Sequence, residues 1–403
     1  MQHSEIVDRL FGQVRDWRRH LHRHPELSGQ EKESAGFLCR VLDEHGVSHR
    51  GSIGGHGIVA RIEPEKENRR AEIAFRADFD ALPLQDSKEC DWASVNPGVM
   101  HACGHDGHAA VLLGLAVALQ RNRHLLPGPV KLIFQPAEEN GAGALAMLKE
   151  GVFEPPPAAV FGFHFFPELL TGEIGLHRGP AMAATEYLEI LVRGRSSHAC
   201  APQRGVDAIA VAAALIGALN QLVTKHLDPV DPALISIGTI QGGTVSNIIA
   251  NEVRLTGTIR TLSREQHRRL HEALRRLIAD FPAAFGAKAE LSIGEVAPAL
   301  VNDDRLMDFL AAFLRREFPN LVCRENDPPL LGGEDFARFA ELCPGAYIFV
   351  GCGNPEMGIT HPLHSVAFDL DEEALKVALR LFLTLALEAG SMTAFLNDSR
   401  GQC

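Results

Sequence analysis

Apolar side chains recur at helical spacing in two stretches near the start of the chain. Residues 4–24 and 31–45 both place apolar residues every three or four positions, and Gly46 ends the second stretch. A longer, mostly apolar helix is predicted between Asp106 and Leu119. Short runs of the strand type lie around it, at 57–62, 71–77, 130–135 and 158–164. This alternation predicts an α/β fold in which helices cover a central mixed sheet.

The order of predicted elements changes between residues 184 and 297. Strands and helices there follow the order βαββαβ of a ferredoxin-like unit, with bounds at 185–193, 205–226, 233–240, 252–260, 263–280 and 288–295. Along the third of these strands apolar residues alternate with Arg254 and Arg260, so one face of the sheet is predicted to be exposed. We therefore predict an inserted domain at 184–297 within a discontinuous main domain formed by 1–183 and 298–403.

The amino-acid composition limits which kinds of partner the protein is expected to bind. The chain has 403 residues, of which 46% are hydrophobic, and a formal net charge of −12 without a basic tract. An acidic protein of this kind is unsuited to nucleic acid, whose phosphates it would repel. The apolar runs at 109–119 and 208–223 are too short, or too broken by Gly and Asn, to span a bilayer. We expect neither a nucleic-acid partner nor a membrane segment.

The cysteines bear on the cellular compartment. They are scattered without paired spacing, at Cys39, Cys90, Cys103, Cys200, Cys323, Cys343, Cys352 and Cys403. This distribution is typical of reduced thiols in the cytosol rather than of a disulfide framework. The start of the chain also lacks the apolar core of a signal peptide. The sequence therefore predicts a cytoplasmic protein.

Metal-binding side chains are concentrated in two short segments. Residues 103–108 include a thiol and imidazoles, and residues 136–139 end in the adjacent carboxylates of Glu138 and Glu139. Thiolates and imidazoles suit zinc, nickel, cobalt or manganese. With His164 and His364, these segments supply enough ligands for two metal ions and leave one carboxylate as a base. The set predicts metal-assisted hydrolysis.

Each of these residues alone has a simpler interpretation. A single histidine on an apolar strand, such as His164, is usually a core residue, and adjacent acids such as Glu138 and Glu139 often favour the N-terminus of a following helix. The positions favour a shared site, because Asp78, the two glutamates and His164 each lie at the end of a predicted strand. Open α/β sheets place their sites beyond the carboxyl ends of strands. The pattern leaves open which glutamate is the ligand.

Five segments resemble a known family. They are RRHLHRHPELS at 18–28, RADFDALP at 76–83, HACGHDGH at 101–108, FQPAEE at 134–139 and GGEDF at 332–336. In order and along nearly the whole chain, they are similar to the aminoacylase, hippurate hydrolase and indoleacetyl-amino-acid hydrolase group of dimetal metallopeptidases. The resemblance implies a metal-dependent amidohydrolase that cleaves N-acyl amino acids. It also implies two divalent metal ions per subunit, with zinc, manganese, nickel or cobalt as candidates.

The resemblance assigns roles to residues of the main domain. Glu138 matches the general base of the family. Asp78 and Asp106 lie in matching motifs, and we interpret them as residues that orient the histidines. The implied metal ligands are Cys103, His105, Glu139, His164 and His364.

In the inserted domain the resemblance implies substrate-binding roles. His198 matches a histidine that reaches the partner subunit's site and polarises the scissile carbonyl, which makes His198 an expected catalytic residue. Asn247 and Arg260 match a pair that binds the substrate carboxylate. The inserted domain is thus expected to serve as the lid and dimerisation domain of a homodimer or dimer of dimers.

Three positions depart from the family pattern. Phe166 stands where a Trp is common, Val366 where a Pro is common, and Ser196-Ser197 precedes His198 where Gly-Gly is common. These changes leave the implied ligands and base intact. They bear on the shape of the acyl pocket, so the preferred substrate stays open.

Two other functions are considered for the same residues. A dimetal carboxypeptidase or dipeptidase would need an acid that recognises a free amine, and Glu334 or Asp335 could serve. A catalytically inactive protein that binds acylated amino acids would require a missing ligand or base, whereas each matched position is filled.

Overall fold

The computed structural model describes residues 2–66, 70–325 and 327–390. Its helices are α1 (Gln2–Arg23), α2 (Lys32–Glu44), α3 (His105–Arg121), α4 (Gly143–Lys149), α5 (Ala208–His226), α6 (Arg264–Ala283), α7 (Asp304–Glu317), α8 (Ala337–Ala340) and α9 (Glu373–Leu387). Its strands are β1 (His49–Ile53), β2 (Gly57–Ile62), β3 (Ile73–Asp78), β4 (Val130–Gln135), β5 (Ala159–Leu170), β6 (Glu173–Gly175), β7 (Gly179–Met182), β8 (Ala184–Arg193), β9 (Ala233–Gly242), β10 (Glu252–Thr261), β11 (Lys288–Ala297), β12 (Leu300–Asn302), β13 (Val322–Arg324) and β14 (Gly345–Gly353). The polar stretch 391–403, with Cys403, lies outside the described residues.

Residue contacts divide the chain into two compact units. The main unit comprises Met1–Gly179, Val301–Pro328 and Asp335–Cys403, and the inserted unit comprises Pro180–Leu300 and Pro329–Glu334. Our sequence-based domain boundaries at 183/184 and 297/298 stay predictions.

The main unit is built on a mixed sheet with the strand order β1-β2-β4-β3-β5-β14-β6-β13. The central strands β4, β3, β5 and β14 are parallel, while β1 and β2 join the edge antiparallel. Every residue of β3, β4 and β14 is buried, as is usual for parallel strands covered on both faces. Helices α1, α3 and α9 pack against one another, and α3 packs against the central strands. The predicted α/β fold with a mixed sheet is confirmed.

Two strands of the main unit differ from the sequence prediction. Strand β5 continues to Leu170, past the predicted end at 164, because β14 pairs with it from Val160 to Leu170. His164 therefore lies within the strand rather than at its end. Strand β1 was not predicted, since it carries polar residues and is irregular at Ser52, where φ is 58°.

The inserted unit has the predicted βαββαβ order. Its sheet is antiparallel with the strand order β11-β8-β10-β9, and α5 and α6 pack on it. On β10 the side chains of Val253, Leu255 and Ile259 are buried in the core of this unit, while Arg254 is exposed. The ferredoxin-like prediction is confirmed.

Helix α5 bears on the membrane prediction. At 19 residues it is long and apolar enough, by length and composition alone, to cross a membrane, whereas the sequence predicts that the apolar run at 208–223 is too short, or too broken by Gly and Asn, to do so. In the inserted unit the side chains of Leu215, Leu219 and Leu222 on this helix belong to the apolar core.

We predict that substitutions at two neighbouring positions on β10 differ in their effect on the free energy of unfolding. Leu255→Ala should lower the free energy of unfolding by about 2–5 kcal/mol, because it removes a fully buried side chain and leaves a cavity. The control Arg254→Ala removes only an exposed ion pair with Glu189, which is worth roughly 0.2–1 kcal/mol. Urea unfolding of both variants checks this. Equal losses would show that Leu255 is not part of a tightly packed core.

Candidate metal centre

The predicted ligands of the main unit lie together in the structure. Their ligand atoms form three overlapping groups, in each of which all ligand atoms lie within 4.8 Å of one another. These groups are Cys103–His105–His164, Cys103–Glu139–His364 and His105–Glu138–Glu139. Cys103, His105 and Glu139 each belong to two of these groups, so the groups overlap.

Distances between ligand atoms show how tight the cluster is. The Sγ atom of Cys103 lies 3.3 Å from Nε2 of His164, and Nε2 of His105 lies 4.0 Å from Oε1 of Glu139. Nε2 of His364 lies 3.6 Å from the other oxygen of Glu139. The side chain of His364 is 53% exposed, whereas the others are largely buried. The cluster therefore has a buried end and an end open to solvent.

Backbone conformations with positive φ position several of these side chains. Gly104 has φ 86° and is the residue that leads into α3. A left-handed turn at this point suits glycine and separates Cys103 from His105. Ala137, just before Glu138, has φ 54°, and His364 itself has φ 62°. Non-glycine residues with positive φ store backbone strain, and such strain is concentrated at functional sites.

Hydrogen bonds determine which histidine nitrogens are available. Nδ1 of His164 donates to the carbonyl oxygen of Phe165 at 2.7 Å, which leaves the Nε2 lone pair directed at the cluster. Nδ1 of His105 lies 3.1 Å from both the carbonyl and a carboxylate oxygen of Asp80, so its Nε2 is likewise available. In both rings Nδ1 is held by an oxygen acceptor, so Nε2 is the nitrogen that a metal would bind once it carries no proton.

His108 lies beside the cluster but is not available as a ligand. Its Nε2 accepts the backbone N–H of Phe165 at 3.0 Å, and its Nδ1 donates to Asp78 at 2.6 Å. Asp78 also accepts from the buried guanidinium of Arg76 at 2.7 Å. His108 and Arg76 therefore fix Asp78, whose Oδ1 lies 3.8 Å from Nε2 of His105.

Asp80, to which the sequence analysis gave no role, connects two of the predicted ligands. Its fully buried carboxylate accepts from Nδ1 of His105, from the backbone N–H of Glu139 at 3.0 Å and from Oγ of Ser28 at 2.7 Å. Asp80 follows β3 two residues after Asp78, and this spacing was the signal that could have found it.

Asp106 contacts other side chains than the ligand histidines that we expected it to orient. Its Oδ2 accepts from Arg18 at 2.7 Å and lies 2.8 Å from Nδ1 of His22. Arg18 also donates to Asp369 at 2.7 Å. Asp106 therefore orients His22 and anchors the start of α3 to α1, and its contacts are not with a predicted metal ligand.

The electrostatics of the cluster favour a bound cation. Burial raises the pKa of the Cys103 thiol well above its usual range and raises the pKa of Glu139 to about 7. For His105 burial acts in the opposite direction, but the carboxylates of Asp78 and Asp80 outweigh it and raise the pKa to about 10. Without a metal, these groups hold protons that a bound cation would displace.

Unsatisfied polar atoms support the same conclusion. Within the described residues, Nε2 of His105 and Oε1 of Glu139 are buried and have no hydrogen-bond partner. Buried polar atoms are nearly always hydrogen-bonded, so two orphaned ligand atoms that face one cluster require another partner. Thiolate, imidazole and carboxylate together suit a borderline divalent cation, and the residues present fit such ions.

The predicted substrate-binding residues all belong to the inserted unit. Nδ1 of His198 accepts the backbone N–H of Cys200 at 3.1 Å, which leaves Nε2 as a hydrogen-bond donor. His198 and Asn247 lie on adjacent segments, since the N–H of Ala199 donates to the carbonyl oxygen of Asn247 at 3.0 Å. Arg260 donates to Oγ1 of Thr185 at 2.8 Å.

The fold and the cluster together define a metal-dependent hydrolase of amide bonds. The chain belongs to peptidase family M20/M25/M40, whose family model matches residues 74–388. It is 38% identical to N-acetylcysteine deacetylase of Bacillus subtilis over 384 residues, which cover 95% of this chain and 98% of that protein. It is 35% identical to thermostable carboxypeptidase 1 of Saccharolobus solfataricus over 395 residues, with 95% and 99% covered.

A solved structure agrees with this family membership. The crystal structure of a dinuclear metal-binding peptidase of the M20 family from Bacillus subtilis matches with a TM-score of 0.82 at 35% identity, and the match covers 95% of this chain and 98% of that one. The predicted resemblance and the class of enzyme are confirmed, and the clustered side chains fit the predicted divalent metal ions. The identity of the metal stays a prediction.

The position of Asp80 predicts its effect on metal binding. Asp80→Ala should weaken metal affinity by about 10–100-fold, because His105 and Glu139 both lose the group that orients them. Competition with a chromogenic chelator measures this affinity. The control Ser28→Ala removes one hydrogen bond to Asp80 and leaves both ligands held, so its affinity should stay near that of the wild type. An unchanged affinity in Asp80→Ala would contradict this role.

Proposed function

We propose that this protein hydrolyses the amide bond of N-acyl amino acids to a carboxylic acid and an amino acid. The observation that carries the proposal is the cluster around Cys103, in which Nε2 of His105 and Oε1 of Glu139 are buried and have no hydrogen-bond partner in the described part of the chain. The 38% identity to an N-acetylcysteine deacetylase supports this class of substrate. The net charge of −12 also favours a small molecule over nucleic acid.

The ligands in this proposal are those implied by the sequence. Cys103, His105, Glu139, His164 and His364 hold two divalent ions, which when bound supply polarisation of the amide carbonyl and a lower pKa for water. Glu138 belongs to the same cluster and is only partly buried, so it can reach both water and substrate. As the general base, Glu138 takes a proton from the attacking water and then passes it to the leaving amine nitrogen.

The inserted unit supplies groups that bind and polarise the substrate. The Nε2–H donor of His198 hydrogen-bonds the carbonyl oxygen as negative charge develops on it. Arg260 and Asn247 bind the carboxylate of the amino acid. The contacts of Arg260 are with Oγ1 of Thr185 and the carbonyl oxygen of Leu331, both neutral, so its charge is available to an anionic substrate.

A homodimer or dimer of dimers in the cytoplasm is part of the proposal. Strand β9 lies at the edge of its sheet, and residues 238–242 are exposed on both faces. Leu234 and Ile240 on this strand are 42% and 53% exposed. An edge strand with exposed apolar side chains is suited to pairing with a second chain. The seven cysteines in the described part of the chain are free thiols, which suits a reducing compartment.

A carboxypeptidase is the second candidate, favoured by the 35% identity to thermostable carboxypeptidase 1. The carboxylate of Asp335 already has hydrogen-bond partners within the protein, which argues that it does not recognise the free amine of a substrate. Its carboxylate accepts from Arg76 at 2.9 Å, from the side chain of Gln135 at 2.7 Å and from the backbone N–H of Ala144 at 3.0 Å. A substrate amine would have to displace these buried contacts.

Metal removal and a substrate panel test the proposal. Dialysis against a chelator should abolish amino-acid release, and added divalent metal should restore it, because the ligand cluster then regains its cations. Restored enzyme should release glycine from N-benzoylglycine faster than it hydrolyses the matching dipeptides. Faster dipeptide hydrolysis would favour the carboxypeptidase, and full activity in verified metal-free protein would exclude both.

The two adjacent glutamates should respond differently to substitution. Glu138→Gln should lower kcat by about 10²–10⁴-fold while metal content is retained, since it removes the base and keeps the ligands. Glu139→Gln should instead lower the metal content, because Glu139 contributes to two of the ligand groups. Elemental analysis and steady-state kinetics of both variants measure these effects. If Glu138→Gln lost its metal and Glu139→Gln retained it, Glu138 would be the ligand and Glu139 the base.

Mixing two inactive variants tests whether sites are shared between subunits. His198→Ala and Glu138→Gln should each be inactive, and mixed heterodimers should regain activity because one of their two sites has both residues intact. Subunit exchange is verified by native mass spectrometry of differently tagged chains. Exchange without recovery of activity would show that His198 acts within its own chain or does not act.

A further inference from the structure

A second group of metal-binding side chains lies wholly within the inserted unit. His267 and His271 are four residues apart on α6, and Glu186 lies on β8. Residues at this spacing are neighbours on one face of a helix, so both imidazoles face the same strand. None of the three takes part in the proposed hydrolysis.

The distances between these groups suit coordination of one ion. Nε2 of His271 lies 2.7 Å from one carboxylate oxygen of Glu186, and Nε2 of His267 lies 3.4 Å from the other. The two imidazole ring centroids are 4.2 Å apart. One ligand atom from each residue falls within 4.8 Å of the others. Small side-chain rotations would therefore bring three ligand atoms to one cation.

Charge at this position also favours a cation. Glu186 is buried and pairs in register with Glu295 on β11, so two carboxylates lie side by side on one face of the sheet. Like charges directly opposite each other on adjacent strands destabilise the sheet. A cation bound at Glu186 would reduce this repulsion.

We propose that Glu186, His267 and His271 form a binding site for one borderline divalent cation, separate from the metal centre of the main unit. Two imidazoles and one carboxylate suit Zn²⁺, Ni²⁺ or Cu²⁺, whereas Mg²⁺ and Ca²⁺ require mostly oxygen ligands. Water supplies the remaining position of a three-ligand site.

The bound cation ties a helix to a strand. His267 and His271 lie in the first half of α6, and Glu186 lies near the start of β8, so coordination connects two elements distant in sequence. Because only the folded unit presents all three ligands together, the cation stabilises this unit by mass action. Its role is structural, and hydrolysis in the main unit does not require it.

Zinc counting on the full-length chain tests this site. Metal-stripped wild type, His267→Gln/His271→Gln and Glu186→Gln are dialysed against a fixed free Zn²⁺ concentration, and zinc per chain is measured by mass spectrometry. The wild type should hold one ion more than either variant. The control His124→Gln/His226→Gln removes two exposed histidines elsewhere and should keep the wild-type count. Because the readout is a difference between variants, it does not depend on how many ions the main unit holds or on amidase activity.

Hydrogen exchange supplies a second measurement on the same proteins. Zn²⁺ should slow amide exchange in residues 264–283 of the wild type and leave these residues unchanged in Glu186→Gln, whereas Mg²⁺ should change neither. Equal zinc counts in wild type and variants, or equal effects of zinc on exchange, would overturn the site. Glu186 would then serve only as a hydrogen-bond partner of His271 and a neighbour of His267.

Discussion

Moving a thiolate or a carboxylate from water into a protein interior costs several kcal/mol unless a compensating charge is present. The main unit places Cys103, His105 and Glu139 in such a setting, and two of their ligand atoms have no hydrogen-bond partner among the residues that the structure describes. The strained backbone at Ala137 and His364 is maintained around the same point. Divalent ions bound at the cluster would offset both the free-energy cost of burying these groups and the cost of the strained backbone. The requirement for compensation explains why these residues are useful to a hydrolase and would be unfavourable in a purely structural core.

Side chains near the predicted ligands form a hydrogen-bond network that does not need a metal to be complete. Arg76 donates to Asp78 at 2.7 Å, to Asp335 at 2.9 Å and to the side chain of Gln135 at 2.7 Å. This network joins the ends of β3 and β4 to the loop before α8. The side chains that support the site are thus hydrogen-bonded to one another without a cation. A ligand set on such a support needs little rearrangement on binding.

Periodicity was sufficient to predict the elements whose burial is regular. The apolar spacing of α1 and α3, the continuous apolar run of β4 and the βαββαβ order of the inserted unit are visible in the chain because each element buries one face or both. Strand β1 was missed, since its polar residues and the positive φ at Ser52 hide the alternation. The end of β5 was misplaced because its length is determined by pairing with β14, which is distant in sequence.

The site could be predicted only as far as local motifs extend. Cys103 and His105 share a short segment, His164 was a candidate because it closes a predicted strand, and the family resemblance assigned the ligand roles. The roles of Asp80 and Asp106 depend on side-chain directions that only the fold determines, and the prediction chose Asp106 where Asp80 makes the contacts. His267 and His271 carry a visible spacing, but Glu186 lies about eighty residues earlier and no local pattern connects them. A local sequence pattern cannot predict a contact between residues that are this far apart in the chain.

The depth at which Cys103 is buried has a consequence for oxidative damage. Oxidants attack the thiolate rather than the thiol, and the pKa of Cys103 is raised well above its usual range by burial and by Glu139. In the metal-free protein this cysteine is therefore mostly protonated and protected from oxidation to sulfenic acid. Under the proposed ligand set, the sulfur that would bind the ions is thus shielded from oxidants for as long as the protein is without them.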